Sequence, residues 1–406
     1  MTKTHQQAIE FFNAALAHIR AGRIADARAC YEHAIEIDPG YVRALNNLGT
    51  LLDDLGEHKS AERRFRAAIS AGPEVAEPWA GLGSNLRIQG KLVEARASYE
   101  RALALRPAFA AVRWNLATID LAEGCFADGW TNYLFRPGID RAETPLAELP
   151  VDLSGTIIEI VDEQGLGDAL FFLRFAPALR TRGAVIRYRA EGRIGDIVSR
   201  MMDFGETYDT ARTFRVALGD LPFLLGVTTC PSALPVAPRS DRLAFLRTML
   251  EQAGPPPYIG LTWRAGQRGE GVLFKEVPLD RLGAALRQVQ GTLIDMQRAP
   301  QSGEHARLEA AAGRRIADLS NRNDDIEDML ALMYLLDDYI GVSNTNIHLR
   351  AAAGRVARVL VANPAEYRWM ATGESSPWFP GFSLYRQSPS DAWGFALASL
   401  ARDLRR

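Results

Sequence analysis

One interval constrains this chain more than any other feature. Gly22, Gly56, Gly90 and Gly124 recur every 34 residues, and Pro39, Pro73 and Pro107 keep the same period. So do Ala27, Ala61 and Ala95, and the aromatic series Tyr31, Phe65, Tyr99 and Tyr133. Four columns with one period call for a stack of like units rather than one closed core. Each column has a physical role in a helix hairpin. Glycine supplies the positive φ of the turn between two helices. Small alanines let antiparallel helices approach closely, and proline ends the second helix of each pair. The spacing therefore predicts helix hairpins over about residues 8–136.

With Trp79, Leu82 and Gly83 added, the pattern resembles the tetratricopeptide-repeat family. The resemblance implies an α-solenoid over residues 1–136 that binds protein or peptide on a surface made by the first helix of each pair. Asn13, Asn47 and Asn115 share one repeat position there, and Gly81 breaks the series. Their amides suit an extended peptide backbone, while local helix–turn preference is an equally physical reason for asparagine. In the last repeat Gly129-Trp130 replaces the small-alanine step and no closing proline follows. That repeat is expected to be a cap that docks on the next domain.

Composition narrows the class. Of 406 residues 47% are hydrophobic and 24% charged, an ordinary soluble balance that disfavours disorder. No apolar run of about 18 residues is present, so no transmembrane helix is expected, and the N-terminus lacks the pattern of a secretory signal. A net charge of -2 creates no field toward nucleic acid or anionic lipid. Cys30, Cys125 and Cys230 are odd in number and far apart, which suits a reducing cytoplasm rather than a disulfide framework.

Beyond a polar, proline-bearing linker at 137–154, apolar strands alternate with helices. Strands are expected at 156–163 and 184–190, with helices after each. Six prolines in 228–257 mark a hinge. Strands at 258–264, 292–297, 339–343 and 358–363 then alternate with helical segments, and 390–405 suits a final amphipathic helix. Such an order implies βαβ units and parallel sheets, with a ligand cleft at the carboxyl ends of the strands.

The Gly-Leu-Gly-Asp turn at 165–168, the tract 343–354 carrying His348 and the tract 367–387 resemble GT-B glycosyltransferases of the heptosyltransferase-like group, in a bacterial form fused to tetratricopeptide repeats. The resemblance covers most of 155–390. It implies two Rossmann-like units in a GT-B arrangement: an N-terminal unit at 155–253, a nucleotide-sugar unit at 254–389, and a C-terminal helix at 390–406 that crosses back onto the first. It also implies an inverting transfer of sugar from a nucleotide donor. The solenoid beside it points to a protein hydroxyl as acceptor.

Glycosyl transfer needs a base for the acceptor and stabilisation of the leaving diphosphate. By the resemblance, Asp168 is the base, and Gln164, Gly165 and Gly167 form the acceptor loop. An aspartate in the first helical turn also needs no chemistry to be favourable. Lys275, in Lys-Glu-Val-Pro, is the one lysine after residue 91 and matches a lysine that faces the diphosphate; Arg264 is a second cation. Ser343, Asn344 and Thr345 join a strand to the helix bearing His348, a natural phosphate seat. The family has aspartate where Ser343 stands. Arg368, Trp369, Trp378 and Arg386 form a basic aromatic tract that suits core packing better than a sugar platform. No Asp-x-Asp triplet and no His/Cys/carboxylate set at ligand spacing occurs in the sequence, so a metal-independent mechanism without further cofactor is expected. The competing reading is a degenerate transferase fold that acts as a binding or scaffold protein through its repeats, because the first unit is short.

Overall fold

The computed structural model describes residues 3–188, 195–202, 212–265, 275–388 and 392–405. It separates into two compact units, divided after Ile119.

The first unit is helical throughout. Helices α1 (Lys3–Arg20) and α2 (Ile24–Ile37), α3 (Val42–Asp54) and α4 (His58–Ala71), and α5 (Ala76–Ile88) and α6 (Leu92–Leu105) pair as hairpins, and α7 (Ala110–Glu123) begins the fourth. Gly22, Gly56 and Gly90 have φ of +69°, +77° and +77°. After each one the chain makes the same closing bond: Arg23 N to His18 O, Glu57 N to Leu52 O and Lys91 N to Leu86 O, all at 2.8–2.9 Å. This is the left-handed helix ending that glycine favours. Ala27, Ala61 and Ala95 are fully buried. A methyl at Gly49 or Gly83 would come within 2.8 Å of Phe65 or 2.6 Å of Tyr99, so the aromatic column packs directly on backbone.

The asparagine column has an internal explanation. Asn47 donates to the Tyr31 hydroxyl (3.4 Å). Asn115 donates to Ser84 Oγ (3.4 Å), which also takes the Tyr99 hydroxyl (3.0 Å). In the middle repeat the aromatic residue is Phe65, without a hydroxyl, and a Cβ at Gly81 would lie 2.4 Å from its ring. Asn13 is exposed.

The second unit begins with the end of α7 and helix α8 (Phe126–Tyr133). A Cβ at Gly129 would meet Leu121 at 2.6 Å, which is why the alanine step has become glycine here. Trp130 is buried, in edge contact with Phe172, Tyr367 and Trp378. Residues 137–154 are irregular but fastened: Arg141 pairs with Asp220, and Arg182 donates to Val151 O. Beside them Arg136 lies buried between Glu163 and Asp220.

Strand β1 (Thr156–Val161), helices α9 (Leu166–Phe172) and α10 (Ala176–Thr181), β2 (Val185–Tyr188), α11 (Gly195–Met201), β3 (Arg212–Ala217) and α12 (Leu221–Leu224) follow. The strands form a parallel sheet in the order β2-β1-β3. Positions 189–190 of the expected second strand, and 192–194 and 203–205 of the helix after it, lie outside the described residues. The proline-rich stretch contains helix α13 (Ser240–Ala253), with its prolines at either end rather than spread through it.

Next come β4 (Tyr258–Thr262), β5 (Arg264–Ala265), β6 (Lys275–Glu276), α14 (Leu279–Leu286), β7 (Thr292–Asp295), α15 (Glu304–Ala312), β8 (Ile316–Asp318), α16 (Ile326–Leu335), β9 (Asp338–Val342), α17 (Thr345–Ala352), β10 (Arg358–Val361), β11 (Ser383–Arg386) and α18 (Gly394–Asp403). Six strands make a second parallel sheet in the order β11-β10-β9-β4-β7-β8. Counted within the sheet, the order is that of a doubly wound dinucleotide-binding fold, with its switch point between β4 and β9. Strands β3, β6, β8 and β11 are not expected from the sequence; β3, Arg-Thr-Phe-Arg-Val-Ala, is polar at three of its first four positions, β6 has two residues and β8 three. The C-terminal helix does not cross back as expected. Its Leu397 and Leu400 join Leu282 and Leu286 of α14 in the core of the six-stranded sheet. Residues 390–391 lie outside the described residues.

Candidate functional site

A cleft of about 510 Å³ opens at the carboxyl ends of β4, β7 and β9. The crossovers leave the sheet in opposite directions from β4 and β9, which opens the crevice there. Thr262, Lys275, Arg298, Ser343 and Thr345 line it, and Leu166 reaches it from the turn after β1.

The turn from β9 into α17 is locked from within. Asn344 caps the helix, accepting from Ile347 N (3.3 Å), and donates to Thr262 Oγ1 (2.9 Å). Thr262 in turn bonds the Tyr339 hydroxyl (2.7 Å). A Cβ at Gly341 would meet Thr262 Oγ1 at 2.3 Å, so only glycine fits that position of β9. Asn344 is thus spent on the fold. What α17 offers a ligand is its N-terminal backbone N–H groups, with the side chains of Ser343 and Thr345 beside them.

Lys275 is half-buried and pairs with Glu366 (2.9 Å). Burial pushes Glu366 upward, but Lys275, then Arg368, then the Ser343 hydroxyl hold its pKa below the usual value. A carboxylate therefore does stand beside Ser343, supplied by the chain after β10 rather than by position 343 itself. Arg264 also lines the cleft, yet its guanidinium is tied to Glu304 (3.0 Å) and Ala299 O (3.1 Å). Buried Gln297 fixes this edge by accepting from Trp263 N and Arg264 N and donating to Arg264 O and Arg298 O. Arg298, next along, is exposed at the cleft, and no partner for its guanidinium occurs among the described residues. Sequence reasoning missed both Glu366 and Arg298; an acidic residue two before Arg368 was the available signal for the first.

His348 belongs elsewhere. It is 5% exposed, packed against the rings of Phe171 and Phe379, with Nδ1 unpartnered among the described residues. It does not line the cleft, so a direct donor contact is not its place. Burial first, then Arg368, Arg174 and Lys275, hold its pKa well below the ordinary value, which favours the neutral ring. The clearance at Gly167 serves this ring: a Cβ there would lie 3.1 Å from His348 Cδ2. Gly165 begins α9 in an extended conformation at φ −75°, which any residue adopts. Gln164 donates to the Tyr133 hydroxyl (3.4 Å) and to Glu163 (3.3 Å) as an internal brace. Asp168 faces Arg368 in an ion pair and is one-third exposed. Arg386 bonds the carbonyls of Trp369, Met370 and Gly373, while Trp369 stacks on Phe379, so this tract is core, as expected.

One cluster of possible metal ligands, distant in sequence, forms where β7 meets β8. Ligand atoms of Asp295, His305 and Asp318 lie within 4.8 Å of one another, because β7 and β8 place the two aspartates in register. Asp295 is already committed, one oxygen to Gln297 N (2.8 Å) and the other to His305 Nδ1 (2.8 Å). The set is closed by its own hydrogen bonds.

Comparison with known proteins defines the class of the N-terminal part first: the tetratricopeptide repeat family matches residues 7–74 and again 47–110. The N-terminal part is a tetratricopeptide-repeat solenoid, and the C-terminal part is an α/β fold of parallel sheets. Over nearly its whole length the chain is similar to protein FlbA of Caulobacter vibrioides, at 24% identity, covering 90% of this chain and 73% of FlbA. A stretch of 110 residues, 26% of the chain, is 31% identical to the mouse protein O-mannosyl-transferase TMTC1 but spans only 12% of that protein. Among solved structures, the MamA protein matches 33% of the chain at 21% identity with a TM-score of 0.30. The first repeat domain of Spaghetti (RPAP3), bound to an HSP90 peptide, matches 27% at 22% identity with a TM-score of 0.27. No helix among the described residues is long and apolar enough to cross a membrane.

Proposed function

We propose that the chain is a nucleotide-sugar-dependent, inverting glycosyltransferase of GT-B type that modifies a protein hydroxyl, with the repeats recruiting the acceptor. One observation carries the reading: at the switch point of a doubly wound sheet, a cleft brings together Lys275, Arg298 and the N-terminus of α17, a seat for a diphosphate. Helix N–H groups and two cations would offset the charge of the leaving group. Asp168 stands just after Leu166, which reaches the cleft from the other sheet, so it is the candidate base. The similarity to a protein named as an O-mannosyl-transferase is consistent with this reading.

A second reading has its own support. Asp168 is tied to Arg368, and the smaller sheet has only three strands among the described residues, which suits a transferase fold retained for binding alone. A thermal-shift screen of nucleoside diphosphates and their sugars, followed by a turnover assay on whichever binds, decides the matter. Stabilisation by a nucleotide with release of its sugar supports the transferase. Stabilisation without turnover supports a fold retained for nucleotide binding, and no response to any nucleotide removes the transferase and leaves a scaffold acting through its repeats.

A further inference from the structure

Four charged residues alternate in sign between the turn after β1 and the cleft: Asp168, Arg368, Glu366 and Lys275. The two outer links are closed. Arg368 Nη2 donates to Asp168, and Lys275 Nζ donates to Glu366 Oε1 at 2.9 Å. The middle link is open. Arg368 Nε and Glu366 Oε2 are both buried and neither has a hydrogen-bond partner among the described residues. One is a donor and the other an acceptor, two residues apart, flanking Tyr367 at the 3-10 turn Tyr367–Trp369. Buried polar groups are seldom left unpaired; the Tyr367 hydroxyl and Trp369 Nε1 at this turn are unpartnered too among the described residues, and the oppositely charged pair among the four marks a bond that a second arrangement would make.

Resting on the transferase reading, we propose that Glu366 and Arg368 are positioning residues that release Asp168 when a donor diphosphate takes Lys275. The sequence of events follows from the charges. An incoming diphosphate engages the Lys275 ammonium, and Glu366 loses its one closed ion pair. A buried carboxylate left with only the Ser343 hydroxyl and no cation paired to it is costly, and an unused donor stands at Arg368 Nε. Arg368 turns toward Glu366 and loosens its hold on Asp168. The acceptor hydroxyl then attacks the sugar C1: its O–H bond breaks with the proton going to Asp168, the new O–C1 bond forms, and the C1–O bond to phosphate breaks with the electron pair leaving on the diphosphate. Donor would bind before the base is free, which limits wasteful chemistry at an empty cleft.

The test uses UDP, GDP and ADP with the full chain. Binding is measured by calorimetry, and the Arg368 Nε–H signal by NMR, identified by its loss in Arg368→Lys. In the wild type the diphosphate that binds should displace that signal. In Glu366→Gln the same diphosphate should bind several-fold more tightly, because Lys275 is already released, and the Arg368 signal should no longer respond to it. If none of the three binds the wild type, the transferase reading falls and the relay with it. If one binds but the Arg368 signal stays where it was, or if Glu366→Gln binds no tighter, the relay alone is overturned. Should Glu366→Gln fail to fold, the wild-type NMR response decides by itself.

Discussion

Asp168 and Arg368 lie 200 residues apart in the chain and form an ion pair in which the arginine is almost wholly buried. Arg368 also sits over the Phe171 ring, 4.5 Å from its centre. Its pKa is raised: burial opposes the charge, and Asp168 leads the groups that outweigh it. The guanidinium therefore stays charged throughout the working range, and Asp168 is held where the turn after β1 meets the chain after β10.

Asp168→Asn keeps the size and one hydrogen-bond acceptor but cannot take a proton. Transfer should fall by roughly 10²–10⁴-fold, the usual scale of a lost general base. Donor affinity should not fall, because the cleft cations are on the other sheet. Turnover and calorimetric binding measured side by side check this. Full turnover in the variant removes Asp168 from the mechanism.

Lys275→Ala should weaken binding of a nucleoside diphosphate by about 1–3 kcal/mol if the ammonium meets the phosphates. Glu366, left without its cation, should also lower the melting temperature. Arg264→Ala, by contrast, should cost stability through its bonds to Glu304 and Ala299 O while leaving diphosphate affinity nearly intact. Equal losses of affinity in the two variants would contradict that division of labour.

Gly341→Ala tests the lock beneath the cleft. The new methyl would press on Thr262 Oγ1 in a strand whose last four residues are buried. Overpacking of this kind costs about 1–3 kcal/mol. Chemical denaturation should show the loss, and the Thr262–Tyr339–Asn344 bonds should be disturbed with it.

In the repeat unit, Glu62 accepts from Lys91 (2.9 Å), Gln89 (2.9 Å) and Arg66 (2.9 Å). Burial pushes its pKa up, yet these donors, Lys91 first, bring it down to about 2. A folded-state pKa below the unfolded one stabilises above the unfolded value and is lost as pH falls through the folded one. Glu62→Gln should therefore lower the melting temperature at pH 7, with the gap to wild type closing between about pH 4.5 and 2. A gap that persists at pH 2 would assign the effect to packing instead.

His305 titrates with the opposite sign. Burial opposes its charge, but the bond to Asp295 and the nearby carboxylates of Glu309 and Asp318 raise its pKa above 6.5. Its contribution to stability should be complete below that value and fade as pH rises through the raised one. An NMR titration of the ring, with His305→Gln as the blank, measures the midpoint directly.

The repeat array was open to linear reading because its contacts are short in sequence. Gly49 faces Phe65, and Gly83 faces Tyr99, each 16 residues on, so one period states both partners. The asparagine column was visible too, but its meaning was not: the hydroxyl of Tyr31 and the missing hydroxyl of Phe65 explain Asn47 and Gly81 only once the helices are side by side. In the second half, apolar runs fixed β4, β7, β9 and β10, since buried parallel strands are continuous and hydrophobic. Strands β8 and β11 lacked such runs, and α18 packs on the larger sheet where the resemblance implied a crossing. The cations Arg264 and Lys275 were found as residue types, but their charges had already been assigned by the fold. Arg264 meets Glu304 from 40 residues away, Lys275 meets Glu366 from 91, and Asp168 meets Arg368 from 200. Composition and spacing set which elements form, because those depend on neighbours along the chain. Which charge neutralises which depends on how the ends of separate strands converge, and that geometry exists only after the sheets have closed.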